Sequence, residues 1–217
     1  RYIIPQDIHV YSVDECFMDI TPYLDLYKKT PREIATMLMD AVFKETGICA
    51  TVGLGTNLFL AKIAMDITGK SAQDHIGYLD EQLFRENIWH HRPITDIWNI
   101  GPGIASRLKK HCVEDLYGIT NLPHEVLYEE FGKNAEYIID HAYGLEPCTI
   151  EDIKAYKTRD TSLSFGQVLS RGYEYDEALT VFREMVELAS LDIVDKEITT
   201  GHIALMVGYQ WEVYGQM

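Results

Sequence analysis

Two adjacent carboxylates, Asp14 and Glu15, interrupt an apolar, strand-like stretch at residues 8–20. Side chains along a strand alternate between the two faces of a sheet, so an unbroken strand would hold these acids apart. They can converge only where the chain bends, which predicts a strand at Ile8–Val13, a turn that carries the acidic pair, and a strand at Cys16–Ile20. A solvated hairpin tip is the plain alternative, but the turn contains none of the Gly, Asn or Pro residues that such tips favour.

The residues after this hairpin predict a helix, a strand and a second helix. The sequence TPRE at residues 30–33 has the pattern of a capping box with proline at the first helical position, and Gly47 ends the helix. An apolar strand is predicted at Ile48–Leu54, followed by a helix with Asn57 as its N-cap. Because one helix separates the hairpin from this strand, we expect a crossover unit in which all three strands share one sheet.

Residues 71–146 contain helical stretches and no convincing strand. One break within them is specific. The sequence IGPGI at residues 100–104 lies between an apolar segment and a helical run that carries Arg107, Lys109 and Lys110. Glycines at these positions allow a tight turn and leave backbone amides free at the helix N-terminus, where a phosphate oxygen can bind. This pattern is typical of a helix-hairpin-helix, and an ordinary Gly/Pro turn between helices is the alternative.

The last third of the chain predicts an incomplete sheet. The polar residues 151–160 are expected to form a linker. The pattern then predicts a strand at 162–169, a helix at 175–195 and a strand at 202–209. The helix is expected to bury the apolar residues Leu179, Phe182, Met185, Val186 and Leu191.

The charge of the chain argues against a nucleic-acid partner. The sequence has 34 acidic and 19 basic residues, a net charge of −15, whereas a phosphate-binding surface normally has the opposite sign. The excess is uneven, with 7 basic and 9 acidic residues in 1–70, 6 and 13 in 71–150, and 6 and 12 in 151–217. The first third is therefore nearly balanced, and the remainder is acidic.

Cysteine spacing and hydropathy give expectations about the compartment. Cys16, Cys49, Cys112 and Cys148 are far apart and form no C-x-x-C or Cys/His cluster, which predicts reduced, buried thiols rather than disulfides or a zinc site. The sequence has no apolar run long enough to span a membrane and no leader, so we expect a soluble, cytoplasmic protein without a membrane partner. The 217 residues suffice for one large domain or two to three small ones, and the start on Arg1 suggests a segment of a longer chain.

Four motifs occur in the order and at the spacing found in Y-family DNA polymerases: VYSVDECFMDIT, TVGLGTNLFLAKIAMDITGK, IWNIGPGIASRLKK and SLSFGQVLSRGY. The chain resembles this family over residues 7–209, most closely its UmuC-type members, with DinB-type enzymes as more distant relatives. The resemblance implies an α+β fold. It comprises a partial polymerase palm of ferredoxin-like ββαβα order at 1–70, an all-α thumb with a helix-hairpin-helix at 71–150, a linker at 151–160 and the start of an α+β little finger at 161–217.

The resemblance also implies a function and its site residues. Asp14 and Glu15 match the paired palm carboxylates that hold divalent metal, with two Mg²⁺ ions expected, and Lys62 matches a lysine that reaches the triphosphate. Taken alone, Lys62 would be interpreted as an ordinary surface charge. The implied activity is lesion-bypass DNA synthesis by two-metal nucleotidyl transfer, with primer-template DNA and deoxynucleoside triphosphates as partners. The thumb residues that match the family's phosphate contacts, together with the basic side chains beside them, are Gly101, Gly103, Ile104, Ala105, Arg107, Lys109 and Lys110.

Two departures from the family keep other interpretations open. Family members begin with a strand that bears another catalytic Asp, followed by the fingers, and neither precedes Arg1. Without that carboxylate, the segment alone is expected to be inactive. The little finger is also cut short. A non-catalytic DNA-binding or regulatory protein that kept the helix-hairpin-helix is the main alternative, and a nucleotide cyclase with a palm-like sheet ranks last. A sliding clamp or a RecA-type filament stays open as a further partner.

Overall fold

The computed structural model describes residues 2–157 and 162–209 of the chain. Its short sheets and many helices confirm the predicted α+β class. The chain divides into two units, Arg1–Tyr156 and Lys157–Met217. The first unit contains β1 (Ile8–Val10), β2 (Cys16–Met18), α1 (Thr21–Tyr27), α2 (Pro31–Thr46), β3 (Val52–Gly55), α3 (Leu58–Ile63), β4 (Ile76–Leu79), α4 (Glu81–Asn87), α5 (Pro102–Lys110), α6 (Leu116–Thr120), α7 (His124–Phe131), α8 (Ala135–Ala142) and α9 (Ile150–Ala155), and the second unit contains α10 (Tyr175–Asp195).

The acidic stretch forms the predicted hairpin. Strands β1 and β2 pair antiparallel, with Val10 opposite Cys16. Both strands are shorter than predicted, because the amides of Tyr11 and Ser12 already donate to the carbonyl oxygen of Glu15, at 2.9 and 3.1 Å. The turn is therefore closed by backbone hydrogen bonds, without a glycine, asparagine or proline.

The prediction that the hairpin and the third strand share one sheet is wrong for the described residues. There, β3 pairs in parallel with β4, and the hairpin is a separate two-stranded sheet. The expectation of no strand in 71–146 is also wrong, because β4 lies in this range. With only four residues, β4 gives little periodic signal in the sequence. Pairing starts with Val52 opposite Ile76, so β3 begins later than the predicted Ile48.

The predicted helix starts are confirmed. Helix α2 begins at a capping box in which Thr30 and Glu33 bond each other's backbone amides, and it ends at Gly47 with φ of +73°. Helix α3 begins at Asn57, whose side-chain oxygen accepts the amide of Leu60 at 2.8 Å. Local capping chemistry therefore fixes both ends of α2 and the start of α3.

Glycines in β3 bring α3 into direct backbone contact with the sheet. A Cβ atom at Gly53 would lie 2.0 Å from the carbonyl oxygen of Ala61, and one at Gly55 would lie 2.2 Å from the amide nitrogen of Ala61. Any side chain at these two positions would push α3 away from β3. The close approach sets the position of α3, which carries Lys62.

A continuous apolar core joins α3 to the helices that follow β4. Phe59 packs edge-on against Phe84 and stacks on the ring of His141, with ring centroids 5.6 and 4.0 Å apart. Helix α3 is thereby held by the sheet through Ala61 and by this core through Phe59. The largest of the other fully buried side chains in this core are Leu60, Ile63, Leu79, Ile88, Ile97, Leu108, Leu116, Ile119 and Leu127.

The linker predicted at 151–160 is wrong in its first half, where α9 forms. A capping box between Thr149 and Asp152 starts this helix, and Ile150 is buried. Lys154 then donates to the backbone carbonyls of Pro5 and Gln6 ahead of β1. Residues 158–161 lie outside the described part of the chain.

The second unit confirms one predicted element of three. Helix α10 has the predicted bounds 175–195, but none of its residues is buried, so the expected buried face is wrong within the described residues. The strands predicted at 162–169 and 202–209 are not formed there. The hydrophobic pattern of the sequence identified these apolar segments, but it could not identify the residues that they would pack against.

The four cysteines are free, as predicted, but the expectation that they are buried is wrong. Cys16 opens β2, Cys49 lies between α2 and β3, Cys112 lies two residues after α5, and Cys148 lies two residues before α9. Among the described residues, no helix is both long and apolar enough to cross a membrane.

Candidate active site

Lys62 joins the acidic hairpin to α3. Its Nζ donates to both carboxylate oxygens of Glu15, at 2.8 and 2.9 Å, although 47 residues separate the two in sequence. Lys62 is only 8% exposed, so the surface lysine expected from the sequence alone is instead a buried one. The fold thus brings together two of the predicted site residues.

Asp66 is a further member of this cluster that the sequence reasoning missed. Its Oδ2 lies 3.1 Å from the Nζ of Lys62, and its Oδ1 accepts from the Nζ of Lys70 at 3.2 Å. Asp66 belongs to a π-helical turn, Ala64–Gly69, that continues α3, and such turns often occur at functional sites. The i,i+4 spacing of residues 62, 66 and 70 was the signal that could have identified it.

The ammonium of Lys62 is held in its charged form. Burial on its own lowers the pKa of a lysine, because it disfavours the charged state. Hydrogen bonds and charge from Glu15 and Asp66 oppose that effect, and the pKa of Lys62 is raised above its ordinary value. The cluster is therefore one buried cation shared by two carboxylates.

Aromatic rings connect this cluster to the rest of the first unit. The ring centroid of Tyr11 lies 5.8 Å from the Nζ of Lys62, and the Tyr11 hydroxyl accepts from Nε1 of Trp98 at 2.9 Å. Trp98 also lies near Phe17 and His141, with ring centroids 6.0 and 5.9 Å away. Trp98 thus links the acidic hairpin to the segment that precedes α5, which no sequence pattern indicated.

The two acids of the hairpin differ in their surroundings. Glu15 is half-buried and bound to Lys62, whereas Asp14 is exposed and accepts a hydrogen bond from the hydroxyl of Ser12 at 2.7 Å. Within the described ranges, Asp14 has no cationic partner. The pair is therefore divided into one engaged and one solvent-facing carboxylate.

The carboxylates of Asp14 and Glu15 are suitable metal ligands, but Lys62 must first release Glu15. Carboxylate oxygens suit Mg²⁺, which commonly takes one or two of them together with phosphate oxygens and waters. Both oxygens of Glu15 are engaged by Lys62, and residues 2–157 and 162–209 contain no group of three His, Cys, Asp or Glu side chains able to hold a metal ion. Asp14 and Glu15 could hold a divalent ion together once Lys62 releases Glu15.

The Gly-Pro-Gly sequence forms the start of α5, with Gly101 as the N-cap and Pro102 and Gly103 in the first turn, so the helix begins earlier than predicted and the chain bends before the glycines. The residue with positive φ is Asn99, at +66°, and Gly101 is the extended N-cap of α5. A short 3₁₀ helix, Ile94–Asp96, precedes the turn, so the first helix of a helix-hairpin-helix is reduced to one turn. A Cβ at Gly101 or Gly103 would meet nothing within 4 Å, so the space beside both residues is open.

The predicted phosphate contacts at this turn fall into two groups. The amides of Ile104 and Ala105 already donate to the carbonyl oxygen of Gly101, at 3.1 and 3.0 Å. In the part of the chain that is described, the amides of Gly101 and Gly103 have no acceptor. These two amides are therefore the ones open to a phosphate oxygen.

The three predicted basic side chains of α5 also differ. Arg107 donates to the backbone carbonyl of Glu130 at 2.6 Å and stacks over the ring of Phe131 at 4.4 Å, which ties α5 to α7. Lys109 and Lys110 are exposed, and neither forms an ion pair with another described residue. Arg107 has a structural contact, and the two lysines are available to a ligand.

The chain is similar to known proteins both in its first 66 residues and over most of its length. Residues 1–66, which include Glu15, Lys62 and Asp66, match the family described as impB/mucB/samB. The chain is 27% identical over 218 residues to the putative UV-damage repair protein UvrX of Bacillus subtilis (strain 168), covering 99% of this chain and 50% of that protein. It is 29% identical over 170 residues to DNA polymerase IV 2 of the same strain, covering 77% and 40%.

A solved structure extends the similarity to the fold. The insertion ternary complex of Dbh DNA polymerase matches with a TM-score of 0.55 at 26% identity, covering 65% of this chain and 41% of that one. The chain spans half the length, or less, of these three proteins.

Proposed function

Because the chain belongs to the Y family of DNA polymerases, we propose that it carries part of the active site of a lesion-bypass DNA polymerase. In this proposal residues 1–70 act as the palm, 71–150 as the thumb and 161–217 as the start of the little finger. The observation that carries it is the contact between Glu15 and Lys62 inside the family-matched segment. Nucleotidyl transfer needs this combination of hard oxygen ligands and a fixed cation. The UmuC-type branch stays a prediction.

The hairpin and α3 would divide the chemistry between them. Asp14 and Glu15 would hold divalent metal, with Mg²⁺ as the expected ion. When bound, such ions activate the primer hydroxyl and neutralise charge on the leaving pyrophosphate. Lys62 would place a positive charge against the triphosphate of the incoming nucleotide. Its burial supports this role, because a fixed charge stabilises developing negative charge without having to reorganise.

The turn before α5 would bind the backbone of primer-template DNA. The open amides of Gly101 and Gly103 suit a phosphate oxygen, and Lys109 and Lys110 add positive charge one to two turns later. These groups would give an otherwise acidic chain a local positive surface, as DNA binding requires.

Primer extension by the natural protein tests this function. The assay uses a labelled primer, Mg²⁺ and deoxynucleoside triphosphates, on an undamaged template and on one with a pyrimidine dimer. We expect Asp14→Asn and Glu15→Gln each to reduce extension by about a hundredfold or more, with DNA binding unchanged. Asp25→Asn, an exposed acid on α1, is the control and should extend normally. Full extension by both hairpin variants would contradict the assignment.

A non-catalytic DNA-binding protein is the second candidate. It is favoured by the open amides of Gly101 and Gly103 and the exposed Lys109 and Lys110, which can bind DNA without a metal ion at the hairpin. It predicts DNA binding that weakens with salt and with Lys109→Gln, and no extension by the unaltered protein. Extension that depends on Glu15 would eliminate it.

A further inference from the structure

Lys62 has two carboxylates within hydrogen-bond reach. Its Nζ lies 2.8 Å from an oxygen of Glu15 and 3.1 Å from an oxygen of Asp66. The lysine is buried, so its ammonium depends on these protein groups rather than on water for compensation. Of the two acids, only Glu15 stands beside the second hairpin acid, Asp14.

A divalent ion and the ammonium of Lys62 compete for the same oxygens of Glu15. Each oxygen of Glu15 accepts from Lys62, so an ion that binds there must displace at least part of this contact. Two cations close together in a half-buried site repel each other, and a buried charge that loses its partner is strongly unfavourable. Ion binding at the hairpin therefore requires another anion for Lys62.

We infer that Asp66 is the positioning residue that retains Lys62 when Glu15 turns to a divalent ion. This inference rests on the proposed function, because it takes the hairpin acids as ion ligands. Asp66 sits four residues after Lys62 on the same helical segment, so it stays beside the ammonium whatever the hairpin does. It acts through Lys62 and does not itself contact the ion.

Lys70 offers a built-in comparison. It pairs with the other oxygen of Asp66 at 3.2 Å, but its side chain is 65% exposed. An exposed pair of this kind contributes little, because water and salt screen it. Loss of Lys70 should therefore change ion binding far less than loss of Asp66.

Mn²⁺ binding to the natural protein, measured by electron paramagnetic resonance of the free ion, tests the inference. Asp66→Asn should raise the dissociation constant for Mn²⁺ by about tenfold, within the usual range for coupled sites. The double variant Asp66→Asn with Lys62→Gln should return to within about threefold of the unaltered protein, because the stranded ammonium is gone. Asp66→Glu should bind nearly normally, and Lys70→Gln should change binding by no more than about twofold.

The opposite results have a clear meaning. If Asp66→Asn binds Mn²⁺ normally, or if the double variant stays as weak as Asp66→Asn, Asp66 does not act through Lys62 and the inference is overturned. Mn²⁺ binding that Asp14→Asn leaves unchanged would overturn it as well, because the ion would then lie elsewhere. Primer extension tests the proposed function separately, so the polymerase function and the role of Asp66 can be disproved independently. Thermal denaturation of each variant shows that the comparison is made between folded proteins.

Discussion

The acidic hairpin and the turn before α5 hold their positive charges in opposite ways. At the hairpin, Lys62 is buried and shared by Glu15 and Asp66. At α5, Lys109 and Lys110 are exposed, with no ion pair to another described residue. The first arrangement fixes a charge in one place, and the second leaves charges available at a surface.

The difference follows from the cost of desolvation. A buried ammonium is tolerated only with anions placed against it, which requires a rigid frame around it. That frame is the glycine contact between β3 and α3 and the apolar core beyond Phe59. Exposed lysines need no frame, and their attraction for phosphate acts at a distance and weakens with salt. A fixed charge suits chemistry, and an exposed one suits binding to DNA.

Glycine substitutions should give the largest difference in stability between the two regions. Gly53→Ala places a methyl group 2.0 Å from the Ala61 carbonyl oxygen, so α3 must shift and stability should fall by about 3 kcal/mol or more. Gly103→Ala is the matched control, because its Cβ meets nothing within 4 Å and alanine favours a helix by about 1 kcal/mol. Urea denaturation followed by circular dichroism measures both. Equal stability of the two variants would show that α3 does not need the close approach.

Substitutions of the basic residues of α5 should have a stability effect of intermediate size. Arg107→Ala removes a hydrogen bond to the Glu130 carbonyl and a contact with the Phe131 ring, and should cost about 2 kcal/mol of stability. Lys110→Ala should lie within about 0.5 kcal/mol of the unaltered protein, as exposed substitutions usually do. The same urea titration distinguishes them. A loss at Lys110 as large as that at Arg107 would mean that this lysine, too, has a structural contact.

The smallest effect concerns His141, whose ring stacks on Phe59 and lies near Trp98. Burial lowers its pKa, although the hydrogen bond to Glu146 and the charges of Glu146 and Asp140 act in the opposite direction. The unfolded chain therefore takes up a proton near the ordinary histidine value, about 6.5, before the folded protein does. Stability should be complete above that pH and should fall as the pH drops below it.

Melting temperatures across pH 5 to 8, about the range in which an ordinary histidine titrates, measure this effect. His141→Phe keeps a ring against Phe59 and should flatten the acid limb of the profile. His124→Gln, at an exposed histidine at the start of α7, is the matched control for the loss of a histidine. An unaltered acid limb in His141→Phe would mean that other groups produce it.

Local chemistry explains which elements could be predicted from sequence. The capping box at Thr30, the N-cap at Asn57 and the glycine after α2 depend on neighbouring residues, and each lies where it was predicted. The hairpin around the acidic pair was predictable for the same reason, since the turn interrupts a period-2 pattern. Such signals act over a few residues and do not need the rest of the fold.

Long-range contacts explain what could not be predicted. Strand β4 is too short to show a period, and its pairing with β3 joins residues 24 positions apart, such as Gly53 and Gly77. Asp66 and Trp98 belong to the site through contacts with Lys62 and Tyr11 that only the folded chain creates. The apolar face of α10 was recognised as apolar, but its burial depends on partners that periodicity does not reveal.

One measurement separates the two regions most directly: single-nucleotide incorporation by the natural protein, followed by rapid quench over a range of primer-template concentrations. We predict that Glu15→Gln lowers the rate at saturating DNA by about a hundredfold without changing the DNA dissociation constant. Lys109→Gln with Lys110→Gln should raise that constant by about tenfold and leave the saturating rate unchanged. If both variants alter the same parameter, chemistry and DNA binding are not divided between the hairpin and α5, and the central claim is wrong.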